Sequence, residues 1–387
     1  MLSRRRRLDV LPIELAGRIP QEIFDIIIRT VPDFHTARSC SLVCKAWSST
    51  CRLRFFSQAT LDRDYIDFLA KAGENILPCI RSLNVESEYK ILLNLREDHC
   101  KKMLSLVPRM SRLTSLELVG CHDAEIARQF SAKLGANVEL TTLKLGMLSI
   151  VSLEECLKCV GFFGPGLRRL ELGFVAGAGM SLGDEVCLMD PVLLKLATVN
   201  INPCSVPMLH WLASSRTSIR SCKLYWWATR VEDLSALEAF TNVENLTLHF
   251  RSFDPSYRSL DQALAPFPKL KTLFIELSRE DPVKDYVAAS LGDAGHGVPW
   301  YIAFLSGAVS TLSRLTLQIF FRSEQELDRM EWGLLNDLLR QLPAYAALEE
   351  LCFQVRWPYP PEEADRWIRS RVDVPRSNFK LKVERCW

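Results

Sequence analysis

Three short stretches of this chain hold side chains of the types that do chemistry. Cys156 and Cys159 stand at the interval of a zinc half-site. A structural zinc ion takes four ligands, and no second pair completes the set. Two positions on an amphipathic helix account for the spacing. Cys121, His122 and Asp123 supply a nucleophile, a base and a carboxylate, but consecutively. Triad members normally come from separate elements so that their side chains converge. Gly177, Gly179 and Gly183 follow a strand-like segment, as in a phosphate-cradling loop. The last glycine is one residue late and no βαβ fingerprint follows, so a repeat loop is expected. None of the six histidines lies in a His-Glu-x-x-His frame, and no Gly-x-Ser-x-Gly occurs. We expect no catalytic residue, no metal site and no bound cofactor: a non-enzyme. Tyr225-Trp226-Trp227, directly after Leu224, has two readings: packing at a sheet edge, or an aromatic anchor for a ligand.

The elements that carry these residues follow from bulk composition and pattern. The chain has 387 residues, 48% hydrophobic and 24% charged, which is globular rather than disordered. A net charge of +2 gives no reason to expect nucleic acid as partner. No apolar run approaches the ~18 residues of a membrane helix, and no secretory core follows the Met-Leu-Ser-Arg-Arg-Arg-Arg start. The thirteen cysteines lie singly, mostly at apolar positions, and read as buried thiols in a reducing, cytoplasmic or nuclear compartment. Arg4 to Arg7 read either as a nuclear import signal or as a solvated tail.

A six-residue frame, apolar-x-x-apolar-x-apolar, recurs along most of the chain. It starts at Ile80, Leu113, Leu140, Leu167, Leu196, Ile219, Val243, Leu270, Leu312 and Leu348, with a degenerate copy at Phe379. Its last three residues predict a short strand: two apolar side chains turn inward and the one between them turns out. Parallel stacking needs a crossover between copies, and Ala124–Leu134 and Val231–Phe240 have helical periodicity. From Leu113 to Leu270 the spacings are roughly 23 to 29 residues, matching those of leucine-rich repeats. Residues 75 to 387 resemble that family, with Cys121 and Cys204 at its Asn/Cys position. The implied fold is an α/β solenoid over 62–387, with a parallel sheet on the concave face and helices on the convex face. An enlarged repeat over 279–311 should hold a surface loop and a buried helix, and 357–387 should cap the stack.

Residues 19–61 have another pattern. Ile19-Pro20-Gln-Glu-Ile23 opens a helix with Pro20 at its first position, and two more short helices are expected over Thr36–Val43 and Cys44–Phe55. The first helix carries two apolar stripes, Ile19/Ile23/Ile26/Ile27 and Phe24/Ile28/Val31. A helix apolar nearly all round must be covered on most sides, here by the first repeat or by a partner chain.

The Ile19-Pro-x-Glu-Ile start, followed by paired aliphatics and then by Ser41-Leu-Val-Cys-Lys-Ala-Trp47, resembles the F-box motif. Ile19 replaces the usual Leu. Residues 1–18 then form a basic tail and 19–61 an F-box-like motif. The resemblance implies a Skp-type adaptor as partner, and through it a cullin–RING ubiquitin ligase. It places Ile19, Pro20, Ile23, Ile27, Leu42, Val43 and Trp47 at the adaptor; Trp47 serves equally well as the core residue locking the helices. The chain is then a substrate receptor of an SCF-type ligase, acting by bivalent positioning. The alternative is a repeat scaffold without a ubiquitin link, whose N-terminal helices cap the solenoid. For a protein substrate the outward strand positions are the candidates: Glu117, Lys144, Glu171, Lys223 and Phe274, with Trp226 beside them. Their mixed charge implies no simple ligand charge.

Overall fold

The structure is a computed structural model. It describes residues 20–31, 33–43, 45–61, 63–86, 97–119, 124–134, 139–148, 160–174, 195–204, 206–214, 218–226, 237, 240–250, 264–277, 286–287, 298–308, 311–321, 323–328, 330–341, 343–356, 361–373 and 379–385. The chain divides into two compact units, Met1–Leu118 with Gln129–Glu139, and Val119–Arg128 with Leu140–Trp387.

The first unit opens with three helices, α1 (Gln21–Thr30), α2 (Phe34–Ser41) and α3 (Lys45–Phe55). Pro20 is the N-cap of α1 rather than its first helical residue, and its carbonyl accepts from the Ile23 N–H at 3.0 Å. Helix α2 starts two residues earlier than expected because the Asp33 carboxylate caps it, accepting the Thr36 N–H at 2.7 Å. Strand β1 (Gln58–Thr60), α4 (Arg63–Ala72), β2 (Ser82–Glu86), α5 (Glu97–Leu106) and β3 (Ser115–Val119) follow. Strand β1 pairs in parallel with β2, and β3 is the next neighbour.

The second unit repeats the alternation. Its strands are β4 (Thr142–Leu148), β5 (Arg169–Phe174), β6 (Thr198–Cys204), β7 (Ser221–Trp226), β8 (Asn245–Phe250) and β9 (Thr272–Glu276). Then come β12 (Arg314–Phe320), β13 (Glu350–Arg356) and β14 (Lys380–Arg385). Each pairs in parallel with the next in chain order. Helix α6 (Ala124–Lys133) is divided between the two units, and the helices of the second are α7 (Val206–Ser214), α8 (Trp300–Ser306), α9 (Glu324–Asp328), α10 (Trp332–Gln341) and α11 (Pro361–Arg369). Consecutive parallel strands joined by helical crossovers are the leucine-rich-repeat form of an α/β solenoid.

Two features set the register. The strands β2 to β9, β12 and β13 bury the two apolar residues of their frame, as Leu170 with Leu172, Cys222 with Leu224, and Leu273 with Ile275, whereas β14 leaves Leu381 and Val383 half-buried. Fully burying one such aliphatic side chain is worth about 1.5–3 kcal/mol, so a one-residue slip would forfeit many of them at once. In addition, a carbonyl before a strand often accepts two successive N–H groups of the next copy. The Arg168 carbonyl takes those of Ala197 and Thr198 at 2.7 and 3.0 Å, and the Arg220 carbonyl those of Glu244 and Asn245 at 2.8 and 3.0 Å.

The expected enlargement sits between β9 and β12, which pair with each other directly. It contains a two-stranded antiparallel ribbon, β10 (Tyr286–Val287) with β11 (Val298–Pro299), and helix α8, which buries Tyr301, Phe304 and Leu305. The Tyr345 hydroxyl holds that helix by donating to the Leu305 carbonyl at 2.7 Å. At the C-terminal end α11 and β14 form; the Arg369 guanidinium donates to the Leu381 carbonyl at 3.1 Å. Among the described residues no helix is long and apolar enough to cross a membrane.

Candidate protein-binding sites

Two surfaces collect the residues singled out in the sequence. The first is built on α1. Its Phe24/Ile28/Val31 stripe turns inward: Ile28 is fully buried, and Phe24 meets the Trp47 ring with centroids 4.9 Å apart at 53°. Polar ties lie beside this contact. The Thr50 hydroxyl of α3 donates to the Asp25 carboxylate at 2.6 Å, and the Arg54 guanidinium donates to the Ile28 carbonyl. The Thr50 and Gln21 hydrogen bonds hold the Asp25 carboxyl below its ordinary pKa.

The other stripe is left open. Ile23, Ile26 and Ile27 are 45%, 55% and 43% exposed, and at i, i+3 and i+4 they share one helix face. At the end of α2, Leu42 and Val43 are 83% and 63% exposed. Pro20 is also exposed. Of the residues expected at the adaptor, only Trp47 is tied into the helix packing, so its core role is the one the geometry displays. Ile19 lies outside the described residues.

The second surface is the outward side of the second unit's sheet. Register sets Lys144, Glu171, Asn200, Lys223, Thr247, Phe274 and Thr316 side by side, one per strand. Four of the six expected substrate residues, Lys144, Glu171, Lys223 and Phe274, therefore form one row. Glu117 stands on β3 of the first unit, half-buried. Trp226 ends β7 in register with Cys204 and Phe250.

Beside that row runs a second one that the sequence reading missed. Tyr225, His249 and Glu276 are neighbours on β7, β8 and β9. The Tyr225 and His249 rings stack with centroids 4.1 Å apart, 5° from parallel, and Phe274 meets His249 at 5.4 Å and 45°. His249 Nδ1 faces a Glu276 carboxylate oxygen, so Nδ1 carries the proton and donates. The Nε2 atom is buried with no hydrogen-bond partner. The Lys223 ammonium lies 5.0 Å from the centre of the Tyr225 ring. One residue beyond each frame stands the side chain of this row; Tyr225, His249 and Glu276 follow Leu224, Leu248 and Ile275, so aligning the copies would have exposed the cluster.

A separate open groove of about 860 Å³ runs past Lys271, Arg314, Glu349, Glu350, Phe379 and Lys380. Ion pairs already span its walls: Lys271 with Glu244 at 2.8 Å, and Arg314 and Lys382 with Glu350 at 3.1 and 2.8 Å.

Among the described residues no group of His, Cys, Asp or Glu is arranged to hold a metal ion. Cys121, His122, Asp123, Cys156, Cys159, the Gly177–Gly183 stretch, Trp227 and Arg4 to Arg7 lie outside the described residues. The described free thiols, Cys51, Cys79, Cys222 and Cys352, are buried and Cys40 is half-buried. Burial pushes the Cys222 thiol up to about 12.

No protein-family model matches the chain, and no curated protein matches it. Among solved structures it is similar to the leucine-rich-repeat-containing protein LegL7 from Legionella pneumophila, at 13% identity and a TM-score of 0.44, covering 82% of this chain and 98% of that one. It is also similar to a chain in the yeast Rad7 and Elc1 complex, at 12% identity and a TM-score of 0.41, covering 95% and 94%. Similarities at those scores carry no weight; the solenoid assignment rests on the strand order and register.

Proposed function

We propose that the chain is a non-catalytic substrate receptor of an SCF-type ubiquitin ligase, acting in the cytoplasm or nucleus. Helices α1 to α3 dock on a Skp-type adaptor, and the repeats hold a protein substrate near the ligase. The single observation that supports this most is the exposed set Ile23, Ile27, Leu42 and Val43, at positions where the F-box resemblance expects the adaptor, with Ile26 exposed beside them. Water-facing isoleucines in a row on a helix whose opposite stripe is packed are a protein interface awaiting its partner. The repeats supply the second half: a rigid sheet presenting a long row of mixed side chains.

One observation favours the scaffold reading. Helix α3 packs against the first repeat, burying Cys51, and the Ser57 carbonyl just after it accepts the Arg81 and Ser82 N–H groups at 2.9 Å. The helices therefore also close one end of the first unit. Co-expression with a Skp-type adaptor, followed by size-exclusion chromatography, separates the readings. The receptor reading expects a stoichiometric complex that an Ile23→Asp/Leu42→Asp variant loses. A folded wild-type chain that elutes alone supports the scaffold instead.

A further inference from the structure

The face of β6 to β9 has hydrogen-bonding capacity of one sense left unmet. In the neutral ring, with Nδ1 donating to Glu276, His249 Nε2 is an acceptor, and it is buried without a hydrogen-bond partner. Asn200 Oδ1, one strand before Lys223, is likewise buried and unpartnered. The Glu276 carboxylate is a quarter exposed. Buried acceptors left empty cost free energy, which a donor brought within their reach would recover. What they lack is a donor.

The aromatic groups point the same way. The Tyr225 ring already hosts a cation, the ammonium of Lys223. His249, stacked behind it, and Phe274 extend the aromatic surface to the edge of the Glu276 carboxylate. An acidic guest would meet that carboxylate, with Lys223 as the donor on offer among these groups. A guanidinium has five donors in a plane, stacks on aromatic rings and pairs with carboxylates.

The geometry points to this face as the receptor for an arginine side chain presented by the protein substrate, an inference resting on the reading of the repeats as the substrate-holding part. Lys223 is then a resident competitor. It occupies the Tyr225 face until the incoming guanidinium displaces it, which lowers the apparent affinity of any cationic guest by the same factor; the preference for arginine over lysine comes from the planar fork and its stacking.

The test uses the full chain and fluorescein-labelled twelve-residue peptides alternating serine with arginine, lysine or glutamate, read by fluorescence anisotropy at fixed salt. The arginine peptide is expected to bind more tightly than the other two. Glu276→Gln, which keeps the shape of the side chain, should weaken it roughly tenfold, the scale of one lost charge-assisted pair. Lys223→Ala should strengthen it several-fold, which a general loss of folding cannot imitate. Glu363→Gln on α11 serves as a control. No binding of the arginine peptide, tighter binding of the glutamate peptide, or an unchanged affinity in both Glu276→Gln and Lys223→Ala overturns the proposal. Adaptor binding is scored separately on the same preparations. Loss of arginine binding in a chain that still holds the adaptor removes this site alone. Arginine binding in a chain that never holds the adaptor removes the ligase reading and leaves the site.

Discussion

The Thr50 hydroxyl donates to the Asp25 carboxylate at 2.6 Å, fastening α3 to the inward side of the helix whose outward side carries the exposed isoleucines. The bond divides α1 into a packed side and an open side. Thr50→Val should accelerate amide hydrogen exchange across α1 and lower the unfolding midpoint by a few degrees. The effect has a definite pH sign. Asp25 titrates below the ordinary carboxylate value in the folded chain, so its contribution is present above about pH 3.8 and lost as pH falls further. The wild type and Thr50→Val should therefore converge in stability as pH drops below that value.

The open side and the packed side predict opposite phenotypes. Ile23→Asp or Leu42→Asp should leave the circular dichroism spectrum unchanged while weakening adaptor binding by about 2–4 kcal/mol, the range of a buried interface anchor. Trp47→Ala should instead cost about 1–3 kcal/mol of stability by emptying the space beside Phe24, less than the ~3–5 kcal/mol of a fully buried tryptophan because Trp47 is half-buried. An adaptor complex untouched by both charge substitutions would remove α1 as the interface.

Glu350 joins three strands, meeting Arg314 of β12 at 3.1 Å and Lys382 of β14 at 2.8 Å. The Lys382 hydrogen bond holds its carboxyl below the usual value near 4.5. Its stabilising effect is complete above that pH and disappears as the group protonates below it. Glu350→Gln should unfold more readily in urea at pH 6, and the difference from wild type should shrink steadily below about pH 4.5.

Helix α8 depends on one buried hydroxyl. Tyr345→Phe leaves the Leu305 carbonyl without its donor and should cost about 1–3 kcal/mol, with exchange accelerated over Trp300–Ser306 before any other element. Uniform acceleration over the sheet would show that the insertion is not separately held.

Thiol labelling gives a fifth check. With its thiol pushed up to about 12, Cys222 at pH 8 carries roughly a thousandfold less thiolate than an ordinary cysteine. Iodoacetamide should modify Cys40 in the native chain and reach Cys222 only on unfolding.

The repeats were legible because the frame writes burial directly into spacing. Leu143 and Leu145, or Leu246 and Leu248, alternate with outward residues, and the structure buries each pair. Both stripes of α1 were legible too, but which turns inward depends on α3, and that was settled only by Trp47 meeting Phe24 and Thr50 meeting Asp25. Periodicity is a property of one helix, whereas sidedness belongs to a pair. The start of α2, two residues before the helical periodicity begins, is set by the Asp33 carboxylate capping it. The Tyr225–His249–Glu276 cluster was missed for a different reason. Its members are 24 and 27 positions apart, and only strand register makes them neighbours.

The direct pairing of β9 with β12 has a consequence for how such a chain can change over time. Thr272 and Arg314 are register partners 42 positions apart, against 27 for Asn245 and Thr272. Closing the longer connection costs only about 0.4 kcal/mol more as a flexible loop. The ladder does not register how much chain departs and returns between two of its rungs. New sequence can thus be spliced in at a rung, drift freely and acquire a fold of its own, as α8 with its ribbon has done, while the neighbouring strands keep their pairing.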